Sequence, residues 1–86
     1  MTVVITGAAR GIGFAIAEAF AAQGAHPVII DLNQEVVDIA VGKLKDKGYT
    51  ASGYVGDVTN SSQMDDVFSS IIEERGKIDC LVNNAG

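Results

Sequence analysis

The chain has one cysteine, one proline and one histidine among its 86 residues. With Cys80 as the lone thiol, no disulfide can close within the chain, which fits a reducing, cytoplasmic compartment. Cys80 stands in an apolar run and reads as a small core residue rather than a nucleophile. His26 has no neighbour at metal-ligand spacing, so no metal site is expected. Basic residues are scarce too: six against eleven acidic ones, a formal net charge of −5. Nucleic acid and anionic membrane surfaces need a basic stripe, so neither is an expected partner. The only basic cluster, Lys43, Lys45 and Lys47, is broken by Leu44 and Asp46 and reads as a solvated helix end. No apolar run reaches 18 residues and no cationic leader precedes a shorter one. Neither a membrane span nor a secretory signal is therefore expected.

Glycine is in excess: ten residues, where average usage near 7% gives about six. The glycines fall at the ends of apolar segments rather than in a low-complexity tract. Hydrophobic residues make up 48% of the chain and mean hydropathy is +0.26, a composition that folds rather than stays disordered. A chain of this length is one small domain or part of one, burying about 60–65% of its unfolded surface.

Thr2-Val3-Val4-Ile5-Thr6 is a β-branched run closed by Gly7 and reads as a strand buried on both faces. From Gly11 to Gln23, Ile12, Ile16, Ala19 and Phe20 recur at helical spacing, and Gly24 supplies a stop. His26-Pro27-Val28-Ile29-Ile30 is a second strand, with Pro27 tolerated at its start. Asn33 caps a helix whose stripe is Val37, Ala40, Val41 and Leu44, ended by Gly48. Tyr49 to Val55 is a weaker third strand. Asn60 and Gln63 have capping-box spacing, and Asp65 and Asp66 suit the positive first turn of a third helix. Met64, Val67, Phe68, Ile71 and Ile72 mark its buried face, Gly76 ends it, and Ile78 to Asn83 is a fourth strand. The order β-α-β-α-β-α-β predicts an α/β fold, a Rossmann-type parallel sheet with helices on both faces and strand order 3-2-1-4. Leu81 and Val82 then lie on an outer edge that invites pairing with another chain.

Thr6-Gly7-Ala8-Ala9-Arg10-Gly11-Ile12-Gly13 joins the first strand to the first helix. At the carboxyl edge of a sheet, a phosphate can take the unpaired amides of a helix N-terminus and the favourable helix dipole. Glycine allows positive φ in the turn and close approach of a ligand to the backbone. The spacing G-x-x-x-G-x-G differs from the usual G-x-G-x-x-G, and a tight strand–helix connection without ligand is the alternative. Asp31 follows the second strand, 18 positions after Gly13. A carboxylate there accepts the ribose hydroxyls of adenosine and repels a 2′-phosphate; a loop carboxylate or a helix cap is the alternative. Arg10 pulls the other way, since its guanidinium can pair with a 2′-phosphate. With Asp31 at the strand end, NAD is expected in preference to NADP.

Together with Asp57-Val58 after the third strand and Asn83-Asn84-Ala85-Gly86 at the end of the fourth, this turn makes the chain resemble the classical short-chain dehydrogenase/reductases along its whole length. The resemblance implies an NAD(P)-dependent oxidoreductase that moves hydride between nicotinamide and a carbonyl or alcohol substrate. Residues 1–86 would be the N-terminal half of its NAD(P)-binding Rossmann domain. Gly7, Gly11 and Gly13 are implied to line the pyrophosphate, with the Ile12 backbone and Arg10 beside them. Asp31 and Leu32 are implied to meet the adenine ribose, and Asp57 with the Val58 backbone to edge the adenine ring. Asn83, Ala85 and Gly86 would lie along the cofactor, while Asn84 helps to hold the central strands together. A homo-oligomer is implied as well. The alternatives are Asp57 as a turn cap and Asn83-Asn84 as backbone partners at a strand end.

The same resemblance places a catalytic Ser, a Tyr-x-x-x-Lys pair and an auxiliary Asn after Asn-Asn-Ala-Gly. Tyr49 and Tyr54 do not supply the pair, because Gly53 and Val58 stand four positions on. No residue of this chain is expected to be catalytic, and the 86 residues alone are expected to be inactive. In the intact enzyme the Tyr would act as general acid/base with its pKa lowered by the Lys, and the Ser would orient substrate. Two other functions fit the start of a parallel sheet: a stand-alone nucleotide-binding module, and an S-adenosylmethionine-dependent methyltransferase. The 7-11-13 glycine spacing and the final Asn-Asn-Ala-Gly favour the dehydrogenase. A flavodoxin-like receiver would need an acidic cluster that the first strand lacks.

Overall fold

The computed structural model describes residues 1–84; Ala85 and Gly86, expected along the cofactor, lie outside the described residues. Strands β1 (Thr2–Thr6), β2 (His26–Asp31), β3 (Ser52–Val55) and β4 (Cys80–Asn83) alternate with helices α1 (Gly11–Ala22), α2 (Gln34–Asp46) and α3 (Ser61–Arg75). The strands form one parallel sheet in the order β3-β2-β1-β4, the Rossmann-type arrangement that the apolar pattern predicts. Parallel neighbours need long crossovers, and the three helices supply them. β1 is central: Val4 lies beside Val28 on one side and Leu81 on the other.

β-Branched residues fill β1 and β2 because both faces of these strands are covered. Strand alternation divides them between two cores. Val3, Ile5 and Ile29 pack with Ala17, Ala21, Ala40 and Leu44 of α1 and α2. Val4, Val28 and Ile30 pack with Met64, Val67 and Ile71 of α3. Burying each large aliphatic side chain contributes about 1.5–3 kcal/mol, the main term holding the helices to the sheet. No helix among the described residues is long and apolar enough to cross a membrane.

Several local expectations are corrected. α1 buries Gly13, Ala17 and Ala21, whereas Ile12 is 76% exposed, Ala19 is exposed, and Ile16 and Phe20 are only half-buried. Small residues let α1 settle closely on the sheet, while Phe14, Ile16 and Phe20 pack at the margin of that core and Ile12 faces outward. In α3, Ile72 is 49% exposed although its neighbour Ile71 is fully buried. α3 starts at Ser61, which puts Asp65 and Asp66 in its second turn rather than its first. The outer strands are shorter than the segments expected from the sequence, Tyr49 to Val55 and Ile78 to Asn83. The Tyr49 amide closes α2 by donating to the Leu44 carbonyl at 3.1 Å, so pairing begins only at Ser52. β4 begins at Cys80, after Asp79 has bound Thr2 through both its amide (2.9 Å) and its carboxylate (2.7 Å).

Two titratable side chains, His26 and Tyr54, are held by hydrogen bonds beside the sheet. His26 is buried at the start of β2, with Nδ1 3.0 Å from Thr50 Oγ1 and Nε2 2.7 Å from Ser52 Oγ. Burial, and then the positive charge of Arg75, lowers its pKa. Glu74 accepts the Tyr54 hydroxyl at 2.7 Å, and burial together with that bond pushes the phenol up to about 12.

Candidate functional site

Because the strands all run one way, the segments leaving β1, β2, β3 and β4 emerge at a single edge of the sheet. The topology thereby gathers Gly7 to Gly13, Asp31 with Leu32, Asp57 with Val58, and Asn83 with Asn84, which are scattered along the sequence.

The glycine turn is shaped by conformation and by space. Gly7 and Gly11 both have φ of 65°, a region that costs an L side chain roughly 1–2 kcal/mol. The Gly7 amide donates to the Ile30 carbonyl at 2.8 Å and pins the turn to β2. A Cβ on Gly13 would stand 2.4 Å from the Gly7 carbonyl oxygen and 2.7 Å from Asn84 Nδ2. α2 and α3 are capped by Asn33 and Asn60, but Arg10 at the N-cap of α1 makes no side-chain capping bond. The amides of Gly11, Ile12 and Gly13 have no hydrogen-bond partner among the described residues. Open amides at the positive end of a helix are an anion seat.

Asp31 closes β2 beside this turn. Its Oδ2 accepts the Ala9 amide at 3.1 Å and its Oδ1 accepts the Leu32 amide at 2.8 Å. Each oxygen keeps lone-pair capacity for a further donor. The Gly56 amide donates to the Asp31 carbonyl at 3.0 Å, which brings the exit of β3 to the same place. There, Asp57 Oδ1 accepts both the Thr59 hydroxyl (2.6 Å) and the Thr59 amide (2.9 Å). Those bonds hold the Asp57 carboxyl below its ordinary value.

The capping box expected of Asn60 and Gln63 is only half formed. Asn60 Oδ1 accepts the Gln63 amide at 3.0 Å, but Gln63 Oε1 reaches the Asp57 amide at 2.6 Å instead of turning back to Asn60. The Asn60 amide donates to the Asp57 carbonyl at 2.9 Å. Asp57 Oδ2 and the Val58 amide make no hydrogen bond among the described residues.

At the end of β4 the Thr6 hydroxyl donates to Asn83 Oδ1 (3.2 Å) and accepts the Asn84 amide (3.1 Å). Asn84 Nδ2 donates to the Gly7 carbonyl at 3.2 Å, linking β4 to the glycine turn. Around this polar network stand apolar side chains left open: Ile12, Leu32 (67% exposed) and Val58 (39%). A groove of about 290 Å³ runs beside Val58 and Asn83, with Met64, Phe68 and Leu81 in its walls. Arg10 is exposed and its guanidinium has no partner among the described residues. Among the described residues, no group of three or more His, Cys, Asp or Glu could hold a metal.

Sequence reasoning missed Thr59 and Gln63 as parts of this edge, and the bonds that Thr6 and Ala9 make there. Spacing cannot reveal that the Ala9 amide meets a carboxylate 22 residues away. The one available signal was the cap spacing of Gln63, which shows a side chain that reaches the backbone but not which amide it reaches.

A family model described as short chain dehydrogenase matches residues 1–86. The 2,3-dihydro-2,3-dihydroxybenzoate dehydrogenase of Bacillus subtilis (strain 168) is 45% identical over 82 residues, 95% of this chain and 31% of that protein. The solved 2-keto-3-deoxy-D-gluconate dehydrogenase from Streptococcus agalactiae superposes with a TM-score of 0.93 at 47% identity, covering 99% of this chain and 32% of that one. The L-sorbose reductase from Gluconobacter frateurii, solved with NADPH and L-sorbose, has a TM-score of 0.93 at 41% identity, with 99% and 33% covered. The chain spans about a third of the length of these relatives. These matches leave the methyltransferase and receiver readings without support. With the family model matched from Met1 to Gly86, the chain belongs to the short-chain dehydrogenase family, a family of NAD(P)-binding oxidoreductases.

Proposed function

We propose that these residues bind the adenosine and diphosphate half of a nicotinamide dinucleotide, with NAD preferred, in a cytoplasmic, homo-oligomeric oxidoreductase. The observation that carries the reading is the uncapped start of α1. Its amides at Gly11, Ile12 and Gly13 open at the carboxyl edge of a parallel sheet, where a side chain on Gly13 has no room. A diphosphate satisfies those donors and the helix dipole together.

The rest of the edge fits the same ligand. Asp31 accepts ribose hydroxyls, and its charge opposes a 2′-phosphate. Leu32 covers the sugar. Asp57 Oδ2, an acceptor, stands beside the Val58 amide, a donor, and this pair complements the 6-amino group and N1 of adenine. Asn83, with Ala85 and Gly86, follows the cofactor toward the nicotinamide. Arg10 is the group that favours NADP, and the NADPH in L-sorbose reductase shows that a relative takes the phosphorylated form. When bound, the nicotinamide supplies hydride exchange with a carbonyl or alcohol carbon of the substrate. The residues of this chain bind and orient the dinucleotide and carry no catalytic proton.

Calorimetric titration with NAD, NADP and S-adenosylmethionine tests the reading. Both dinucleotides should bind, NAD the more tightly, and S-adenosylmethionine should not. Equal affinities for NAD and NADP would remove the preference assigned to Asp31; binding of neither would remove the proposal.

A further inference from the structure

In a complete capping box, Gln63 would accept the amide of Asn60. Here the Asp57 carbonyl serves that amide at 2.9 Å, which leaves Gln63 Oε1 to accept the Asp57 amide at 2.6 Å. The difference matters because peptide units are planar. The Asn60 bond holds the Asp57 carbonyl, and so sets the direction of the Val58 amide in the same plane. The Gln63 bond holds the preceding plane, between Gly56 and Asp57. With both flanking planes held, the backbone angles of Asp57 are set. Thr59 fixes Oδ1 of its side chain. What remains open is one acceptor, Asp57 Oδ2, at a defined angle to one donor, the Val58 amide.

We infer that Gln63 is a positioning residue for purine-base selection: it sets the angle between the Asp57 acceptor and the Val58 donor. The inference rests on the reading of that pair as the adenine edge. Gln63 does not touch the base. It acts from the first turn of α3, where Asn60 Oδ1 anchors its own amide at 3.0 Å.

The probes are AMP and IMP, which differ at position 6: AMP carries an amino donor there, and IMP carries a carbonyl acceptor with a proton on N1. The unmodified protein should prefer AMP. Gln63→Leu removes the acceptor and should reduce the AMP-to-IMP affinity ratio about three- to tenfold, the worth of one hydrogen bond, through a loss of AMP affinity alone. Gln63→Glu replaces the amide oxygen with a carboxylate oxygen at the same reach and should restore the ratio. A ratio within twofold of the unmodified value in Gln63→Leu overturns the inference. So does equal weakening of both ligands, which would give Gln63 a role in helix stability alone. If the unmodified protein does not distinguish AMP from IMP, the adenine reading of Asp57 and Val58 itself fails, and the inference falls with it.

Discussion

The carboxylate of Asp31 accepts the amide of Ala9 at 3.1 Å, tying the end of β2 to the glycine turn across 22 residues of sequence. The residue assigned to the ribose therefore also braces the segment assigned to the diphosphate. Charge and brace can be separated. Asp31→Asn keeps an acceptor for Ala9 and loses the negative charge, whereas Asp31→Ala loses both. Titration should show Asp31→Asn raising the NADP-to-NAD affinity ratio about tenfold, ~1.4 kcal/mol, while NAD affinity falls only slightly. Asp31→Ala should weaken both dinucleotides at least tenfold, since a hydrogen bond to a charged group is worth roughly 1.5–3 kcal/mol. Identical behaviour of the two variants would remove the brace.

Gly13 and Gly42 both lie inside helices, and the same substitution should act on them with opposite sign. A Cβ on Gly13 meets the Gly7 carbonyl oxygen at 2.4 Å, while one on Gly42 meets nothing within 4 Å. Gly13→Ala should destabilise by about 1–3 kcal/mol and abolish measurable dinucleotide binding. Gly42→Ala should stabilise by roughly 0.5–1 kcal/mol through helix propensity and leave binding unchanged. Urea unfolding and calorimetric titration of the pair decide both points.

The buried His26 predicts a pH window for stability. Burial and Arg75 lower its pKa in the folded state, against Glu74, which raises it; the N-terminus and Lys45 also lower it. The unfolded chain therefore takes up the proton first. His26 contributes its full stabilisation above its ordinary value of 6.5, and that contribution is lost as pH falls through 6.5 toward the lower folded value. One proton limits the slope to about 1.4 kcal/mol per pH unit. Asp57 and Asp79, held below their ordinary 3.8 by bonds from Thr59 and Thr2, stabilise above that value and lose the contribution only as pH falls through their lower folded values. Urea midpoints measured from pH 8 to 5 should decline below 6.5, and His26→Gln should flatten the curve. An unchanged slope in that variant would reassign the window.

Ile71 and Ile72 adjoin in sequence, yet one is fully buried and the other 49% exposed. Ile71→Ala should cost about 2–5 kcal/mol by opening a cavity under α3. Ile72→Ala should cost less than about 1 kcal/mol. Comparable losses in chemical denaturation would show that α3 turns a different face to the sheet.

The inner sheet was legible because β1 and β2 combine unbroken β-branched runs with glycine or Asp-Leu exits, features that need no knowledge of the partner strand. The fringes were less so. Tyr49 opens the weaker third strand segment, but its amide is captured by Leu44 and the residue ends a helix rather than starting a strand. The helical spacing of Ile12, Ile16, Ala19 and Phe20 marks an α1 stripe; the sheet instead accepts Gly13, Ala17 and Ala21, where close approach matters more than side-chain volume.

By itself the sequence determined the alternation of strands and helices, the glycine-permitted turn at Gly7 and Gly11, and the positions of the polar residues at strand exits. These depend on periodicity and backbone freedom, which are local properties. Only the tertiary structure decided that Asp31 faces Ala9, that Gln63 serves Asp57 rather than Asn60, and which side of α1 meets the sheet. Each of these depends on what stands opposite in space, and hydrogen-bond partners brought together by parallel crossovers leave no trace in residue spacing.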